Sequence, residues 1–228
     1  MTEACLNVFR ARAVGHITAT AADVPTRSYN RKLMHPESDN IEAILLAAGR
    51  GTRFGGDKLR HTLADGRAIA VHAAANLRAA GLRVVAVVRP EDAALRKLLE
   101  AEGCLTTPCA QAAAGMGHTL AHGVRLAPAA RGWVVALGDM PAVRPETIKR
   151  VVDALKSGAR IAAPAYRGQR GHPVGFAAEY YGDLSALAGD AGARNIMQAH
   201  RDALVLLECD DAGVVYDIDT RSDLGRPV

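Results

Sequence analysis

The sequence predicts an α/β protein built on a three-layer, mostly parallel sheet with helices on both faces. Three observations carry this expectation. Short apolar runs rich in Val, Ile, Leu and Ala alternate with stretches of helical period along most of the chain. The runs are nearly continuous in apolar character, the mark of strands buried on both faces. The chain holds 22 glycines and only 4% aromatic residues, which suits close helix–strand packing joined by many turns.

Taken in order, Ile44–Ala47 is an apolar strand that leads into a glycine-rich loop from Gly49 to Lys58. Ala68–Ala80 follows as a helix, Leu82–Val88 as a buried strand and Asp92–Glu102 as an amphipathic helix. A weaker strand near Leu105 precedes a helix from Gly117 to Arg125. Trp133–Leu137 is the next apolar run, and Pro145 suits the first turn of a helix reaching Lys156. Ile161–Ala165 and Val174–Phe176 are short strands, Tyr180–Ala188 and Ala191–His200 helices, and Leu204–Leu207 and Val214–Ile218 further strands. Sheets of this kind bind ligands beyond the carboxyl ends of their strands. The loops after Ala47 and Leu137 are therefore the candidate site.

The chain of 228 residues suits one domain, assigned to residues 41–228. The first 33 residues show no sustained period, and residues 1–40 are expected to be a disordered extension. An organelle-targeting peptide and a true start at Met34 are the alternatives. Five of the basic residues and two of the acidic ones fall within residues 1–33, so the +4 net charge leaves the remainder close to neutral. That distribution does not mark a nucleic-acid-binding surface. No apolar stretch is long enough for a transmembrane helix. Cys5, Cys104, Cys109 and Cys209 lack disulfide-scaffold density and C-x-x-C spacing, which fits a reducing, cytoplasmic compartment.

The strongest chemical signal is Leu46-Ala47-Ala48-Gly49-Arg50-Gly51-Thr52-Arg53-Phe54-Gly55-Gly56-Asp57-Lys58. Its glycines let the backbone approach a ligand and turn N–H groups toward an anion. Arg53 adds a forked donor for phosphate and Lys58 a mobile point charge. Asp57 separates Gly56 from the lysine and Leu59 follows it, so the loop is not a Walker A motif. Nor is it a dinucleotide-binding fingerprint, because Phe54 stands where the last glycine belongs. Asp139, just past an apolar run and beside Gly138, is placed to hold a hard cation such as Mg²⁺. Strand alternation predicts that Asp217 and Asp219 share one face, and either could join Asp139 at one metal–phosphate centre. His118 and His122 have zinc-like spacing but no third ligand, and are read as surface or capping residues. No G-x-S-x-G nucleophile motif occurs.

Together these motifs resemble the MobA-like nucleotidyltransferases, and within them the molybdenum cofactor cytidylyltransferase branch. Beyond the first loop, the resemblance rests on Gly115-Met116-Gly117 with Thr119, and on Leu137-Gly138-Asp139-Met140-Pro141. It continues through Gly171-His172-Pro173-Val174-Gly175-Phe176, Gly189-Asp190-Ala191-Gly192-Ala193-Arg194 and Asp217-Ile218-Asp219-Thr220. It implies a Rossmann-like, glycosyltransferase-A-like fold and transfer of NMP from an NTP to a phosphate acceptor.

The resemblance also implies residue roles. Ala47, Ala48, Gly49 and Gly51 would cradle the nucleotide, with Arg53 and Lys58 on the triphosphate. Asp139 and Asp219 would ligate Mg²⁺, Thr119 would meet base or ribose, and His172 and Arg194 would lie on the acceptor side. Ala48, where the guanylyl branch typically carries Gly, favours CTP, with a molybdopterin-type cofactor as acceptor and a molybdenum hydroxylase as recipient. The alternatives are GTP, a sugar or polyol phosphate acceptor, a non-catalytic pterin carrier, or an NADP-dependent reductase. Two positions depart from the family pattern: Arg50 replaces a small residue, and Arg221 stands where proline is common.

Overall fold

The computed structural model describes residues 40–225. The expectation of a disordered extension therefore falls, apart from the exposed Asn40, outside the described residues.

Four parallel strands form the heart of the sheet: β1 (Ile41–Ala47), β2 (Arg83–Val88), β3 (Leu105–Pro108) and β4 (Gly132–Leu137). They are followed by β5 (Ile161–Tyr166), the two-residue β6 (Gln169–Arg170), β7 (Val174–Ala177) and β8 (Leu204–Cys209). The order across the sheet is β3-β2-β1-β4-β7-β5-β6, and β8 pairs with β5. The sheet is mixed, because β7 runs antiparallel to both β4 and β5 while β8 runs parallel to β5. From β1 the chain builds toward β2 in one direction and β4 in the other. The carboxyl ends of β1 and β4 thus form a topological switch point, and Leu46 and Leu137 are paired there.

Alternate side chains along β1, β2 and β4 feed two cores. Ala43, Leu45, Val84, Ala86 and Val134 pack on one face with Leu77 of α1 (Ile69–Ala79), Leu99 of α2 (Ala93–Ala101) and Val151 of α4 (Pro145–Lys156). Ile44, Val85, Val87, Trp133 and Val135 pack on the other with Leu120 of α3 (Met116–Arg125), Leu184 of α5 (Tyr181–Ser185) and Ile196 of α6 (Arg194–Ala199). The three-layer expectation is met. Asp92 caps α2 by accepting from the Leu95 N–H at 3.1 Å, and Pro145 opens α4 as expected.

Three sequence expectations are corrected. Val214–Ile218 is not a strand. Ala212–Val215 forms a 3₁₀ turn capped by Asp211, and the chain beyond it satisfies its N–H groups locally. Ile218 donates to the Asp139 carbonyl at 3.0 Å, and Asp219 and Thr220 donate to the Asp223 carboxylate at 3.1 and 2.7 Å. The helices expected over 180–188 and 191–200 shorten to α5 and α6, because glycines 189 and 192 adopt positive φ between them. The strand near Leu105 is fully formed, and β6 was not expected at all.

Gly171 shows how tightly the late segments are pinned. A Cβ there would stand 2.3 Å from the Val214 carbonyl oxygen, which accepts the neighbouring His172 N–H at 2.8 Å. Gly171→Ala is expected to destabilise the fold by about 1–3 kcal/mol, read as a lower urea midpoint; an unchanged midpoint would contradict this packing.

Candidate active site

The glycine-rich loop after β1 is two short 3₁₀ turns, Thr52–Phe54 and Lys58–Arg60. Gly51 enters the first with φ 60°, and a Cβ there would meet Lys58 Cβ at 2.7 Å. The loop therefore folds back on itself and delivers Lys58 beneath its own entry. Phe54 packs with Ile69 and Ile218 in a small separate apolar cluster, and the Arg221 guanidinium sits 5.3 Å above its ring. Arg221, which departs from the resembled motif, thus braces the loop against the C-terminal segment. Gly138 lets β4 end against β1, its N–H donating to the Leu46 carbonyl at 2.9 Å, and so sets Asp139 at the switch point.

Four sequence-predicted residues meet here. Lys58 Nζ donates to Asp139 Oδ2 at 2.7 Å and to Asp219 Oδ1 at 3.2 Å. Arg53 Nη1 donates to Asp219 Oδ2 at 2.6 Å. Lys58 is only 7% exposed. Burial alone would lower the pKa of its ammonium, but the hydrogen bonds and charges of Asp139 and Asp219 outweigh burial and hold it above the usual lysine value. Lys58 is a permanent cation between two carboxylates.

Asp217 is the third carboxylate. Its oxygens and those of Asp139 and Asp219 include one atom each that all lie within 4.8 Å of one another. Burial and the charges of Asp139 and Asp219 push the Asp217 carboxyl up. The sequence paired Asp217 with Asp219 by strand alternation. In the structure Ile218 is anchored by the Asp139 carbonyl, and the acids on either side of it converge. Three oxygen donors of this kind match the preference of a hard divalent cation.

Asp139 also stands at the end of a cleft of about 470 Å³. Ala48, Gly49 and the buried Thr119 line it, joined by Arg50, Arg89, Met116 and Asp190. A Cβ at Gly115 would fall 2.3 Å from the Gly189 backbone, and Gly117 N–H donates to the Gly189 carbonyl at 2.7 Å. This docking brings Asp190 to the rim. Arg89 directly follows β2, and Asp92 accepts from its Nη2 at 3.0 Å. Its position one residue past an apolar strand was the only sequence signal for it.

Ala47 and Gly51 support the loop without lining the cleft. His172 does not line it either; it borders a small apolar void with Leu137, Met140 and Pro173. Burial and the Arg170 charge push its imidazole down to about 4, so it is neutral near pH 7. Arg194 opens α6 on the exposed surface and makes no ion pair or hydrogen bond through its side chain among the described residues. His122 accepts from or donates to Thr107 Oγ1 at 2.8 Å, consistent with a structural histidine. Cys104, Cys109 and Cys209 are free thiols. No helix among the described residues is long and apolar enough to cross a membrane.

A glycine-rich loop, a buried lysine and an acid cluster lie together at the switch point of an α/β sheet that has the nucleotidyltransferase fold. Residues 43–204 match the MobA-like NTP transferase domain, and the chain belongs to that family. It is 28% identical over 197 residues to nicotine blue oxidoreductase of Paenarthrobacter nicotinovorans, covering 82% of this chain and 95% of that protein. It is 35% identical over 119 residues to the bifunctional protein GlmU of Geobacter sulfurreducens. That match takes in 51% of this chain but only a quarter of GlmU's length. Among solved structures, Rv0371c of Mycobacterium tuberculosis H37Rv superposes with a TM-score of 0.71 at 27% identity, over 82% of this chain and 96% of that one. A second Rv0371c structure, a complex with manganese, superposes with a TM-score of 0.67.

Because the folded-state pKa of Asp217 is raised, its ionised form opposes folding, and the penalty disappears as pH falls below the ordinary carboxylate range. Asp217→Asn should therefore raise the thermal midpoint of the metal-free protein at neutral pH. The gain should vanish below about pH 4. A gain of equal size at both pH values would contradict this electrostatic origin.

Proposed function

We propose that the protein transfers CMP from CTP to the terminal phosphate of a molybdopterin-type cofactor and releases pyrophosphate. The observation that carries this reading is the Lys58–Asp139–Asp219–Arg53 array at the end of the cleft. Asp139 and Asp219, with Asp217 beside them, would hold Mg²⁺. Bound there, the ion would neutralise phosphate charge that the protein's own cations do not cover.

The chain's residues do the rest by position and charge. The glycine-rich backbone from Gly49 to Gly51 receives the triphosphate, and Arg53 and Lys58 exchange part of their carboxylate contacts for its oxygens. Thr119 and the walls formed by Ala48 and Met116 hold the nucleoside with its α-phosphorus near Asp139. The acceptor phosphate oxygen attacks that phosphorus in line and pyrophosphate leaves. Little covalent help is needed; orientation and charge neutralisation between two anions supply the acceleration. Ala48 lines the cleft, and the family resemblance at this position favours CTP over GTP. His172 and Arg194 are assigned to the acceptor side by family resemblance. The product would pass to a molybdenum hydroxylase, and the free thiols suit a cytoplasmic setting.

A second reading is favoured by one observation, the nearly full-length similarity to nicotine blue oxidoreductase. On that reading the cleft binds a reduced dinucleotide.

The experiment incubates the protein, Mg²⁺ and molybdopterin-type cofactor with each α-labelled NTP in turn and follows pyrophosphate. Label is expected from CTP alone, dependent on metal and acceptor. Folded Asp139→Ala should lose about a hundredfold or more of the turnover. Transfer from GTP instead would overturn the base assignment. Pterin binding without transfer would mark a carrier, and NADPH oxidation without transfer would establish the second reading.

A further inference from the structure

The cleft has a second fixed cation, on the side away from the acid cluster, and the strand register places it. Leu46 pairs with Leu137 and Ala47 with Val88. Counting on from these pairs sets Asp139, Ala48 and Arg89 level beyond the carboxyl ends of β4, β1 and β2. Because β1 lies between β4 and β2, Asp139 and Arg89 stand two strand spacings apart, roughly 10 Å, with Ala48 between them. All three line the cleft. That span is comparable to the reach of a nucleotide from its α-phosphorus to the outer edge of its base.

Arg89 is held in place by acids behind it. Its Nη2 donates to Asp92 Oδ2 at 3.0 Å and lies 3.9 Å from Asp57 Oδ1. Asp92 is buried and itself pinned: its Oδ1 accepts from the Leu95 N–H at 3.1 Å and lies 3.4 Å from Arg60 Nε. Asp57 also accepts from Arg60. The Arg89 side chain is 18% exposed, and its Nη1 makes no hydrogen bond or ion pair among the described residues. One end of the guanidinium is thus anchored and the other remains for a ligand, so the cost of ordering the side chain is met before the ligand arrives. Two acids, Asp57 and Asp92, balance the two arginines, and Glu91 and Asp190 line the same cleft. What Arg89 offers is therefore direction more than net charge, which suits a neutral base better than a further phosphate.

We propose that Arg89 is a specificity-determining residue that reads the base of the bound nucleotide through cytosine O2 and N3. The inference rests on the reading of the cleft as a CTP site. A guanidinium has donors only. Cytosine presents O2 and N3 as two adjacent acceptors on its outer edge. Uracil carries a hydrogen on N3 and would set a donor against the guanidinium, and adenine sets its amino donor beside N1. Arg89 accordingly selects CTP against UTP, while Arg53 and Lys58 serve the phosphates that every NTP shares.

Isothermal titration calorimetry with Mg²⁺ and no acceptor tests this, using CTP, UTP, GTP and inorganic tripolyphosphate as ligands. The wild type should prefer CTP. Arg89→Lys keeps a cation beside Asp92 but loses the fork. It should lower CTP affinity by about tenfold to a hundredfold, erase the preference over UTP and leave tripolyphosphate binding unchanged. Arg89→Ala should lose the same preference, with circular dichroism confirming that both variants fold. A wild type indifferent between CTP and UTP, or one that prefers GTP, would overturn the proposal. So would a lysine variant that keeps the CTP preference, or one that loses CTP and tripolyphosphate together. Neither acceptor nor turnover enters the measurement, so a failure of transfer to a molybdopterin-type cofactor would show separately from a failure of Arg89 to read the base.

Discussion

The Lys58 ammonium, held between Asp139 and Asp219, is the contact on which the site depends. It joins three segments distant in sequence: the loop after β1, the end of β4 and the C-terminal tail. Without a cation there, the carboxylates of Asp139, Asp217 and Asp219 would repel one another at short range in a partly buried place. With it, two of the three are balanced, and Arg53 takes a share of Asp219 from the solvent side. Burial, together with the charges of Asp139 and Asp219, raises the pKa of Asp217. The array is thereby poised to take a divalent cation, whose charge would relieve that carboxyl, and a triphosphate, whose oxygens would compete for the two basic side chains.

Holding these segments in register falls to glycines at close backbone approaches, where a Cβ would be tight or would clash. Gly138 brings β4 against the end of β1, and Gly171 brings the β6–β7 connection against Val214. Gly213 does the same against the Ala142 carbonyl, where a Cβ would come within 2.2 Å. Each converts a loop into a fixed spacer without a strand ladder. The C-terminal segment from Tyr216 to Thr220 is accordingly irregular yet well anchored, with Ile218 held by its N–H on one side and by the Phe54–Ile69 cluster on the other.

The sheet's parallel half was legible because apolar runs such as Leu82–Val88 and Trp133–Leu137 are short, β-branched and bounded by turn residues. Strand direction was not legible at Val174–Ala177, since an apolar run looks the same either way round and only pairing makes β7 antiparallel. Val214–Ile218 has a strand's composition, but Gly213 and Asp211 capture its backbone first. Within the site, Lys58 and Asp139 could be picked out because glycine spacing and strand ends are local features. The participation of Asp217 depends on the anchoring of Ile218, a tertiary contact with no local signature. Arg194 was expected from family resemblance alone, and its side chain is exposed with no hydrogen bond or ion pair among the described residues, so no local contact marks its role.

The proteins this chain is similar to have names that differ in chemistry, from GlmU to nicotine blue oxidoreductase, so the acid cluster and not the fold decides between readings. The most direct test of that cluster is Mn²⁺ binding followed by electron paramagnetic resonance, with a non-hydrolysable CTP analogue present. The account predicts one ion bound per chain in the wild type, with Asp139→Asn and Asp219→Asn each abolishing the bound signal while the protein stays folded. Undiminished Mn²⁺ binding in both variants would contradict it.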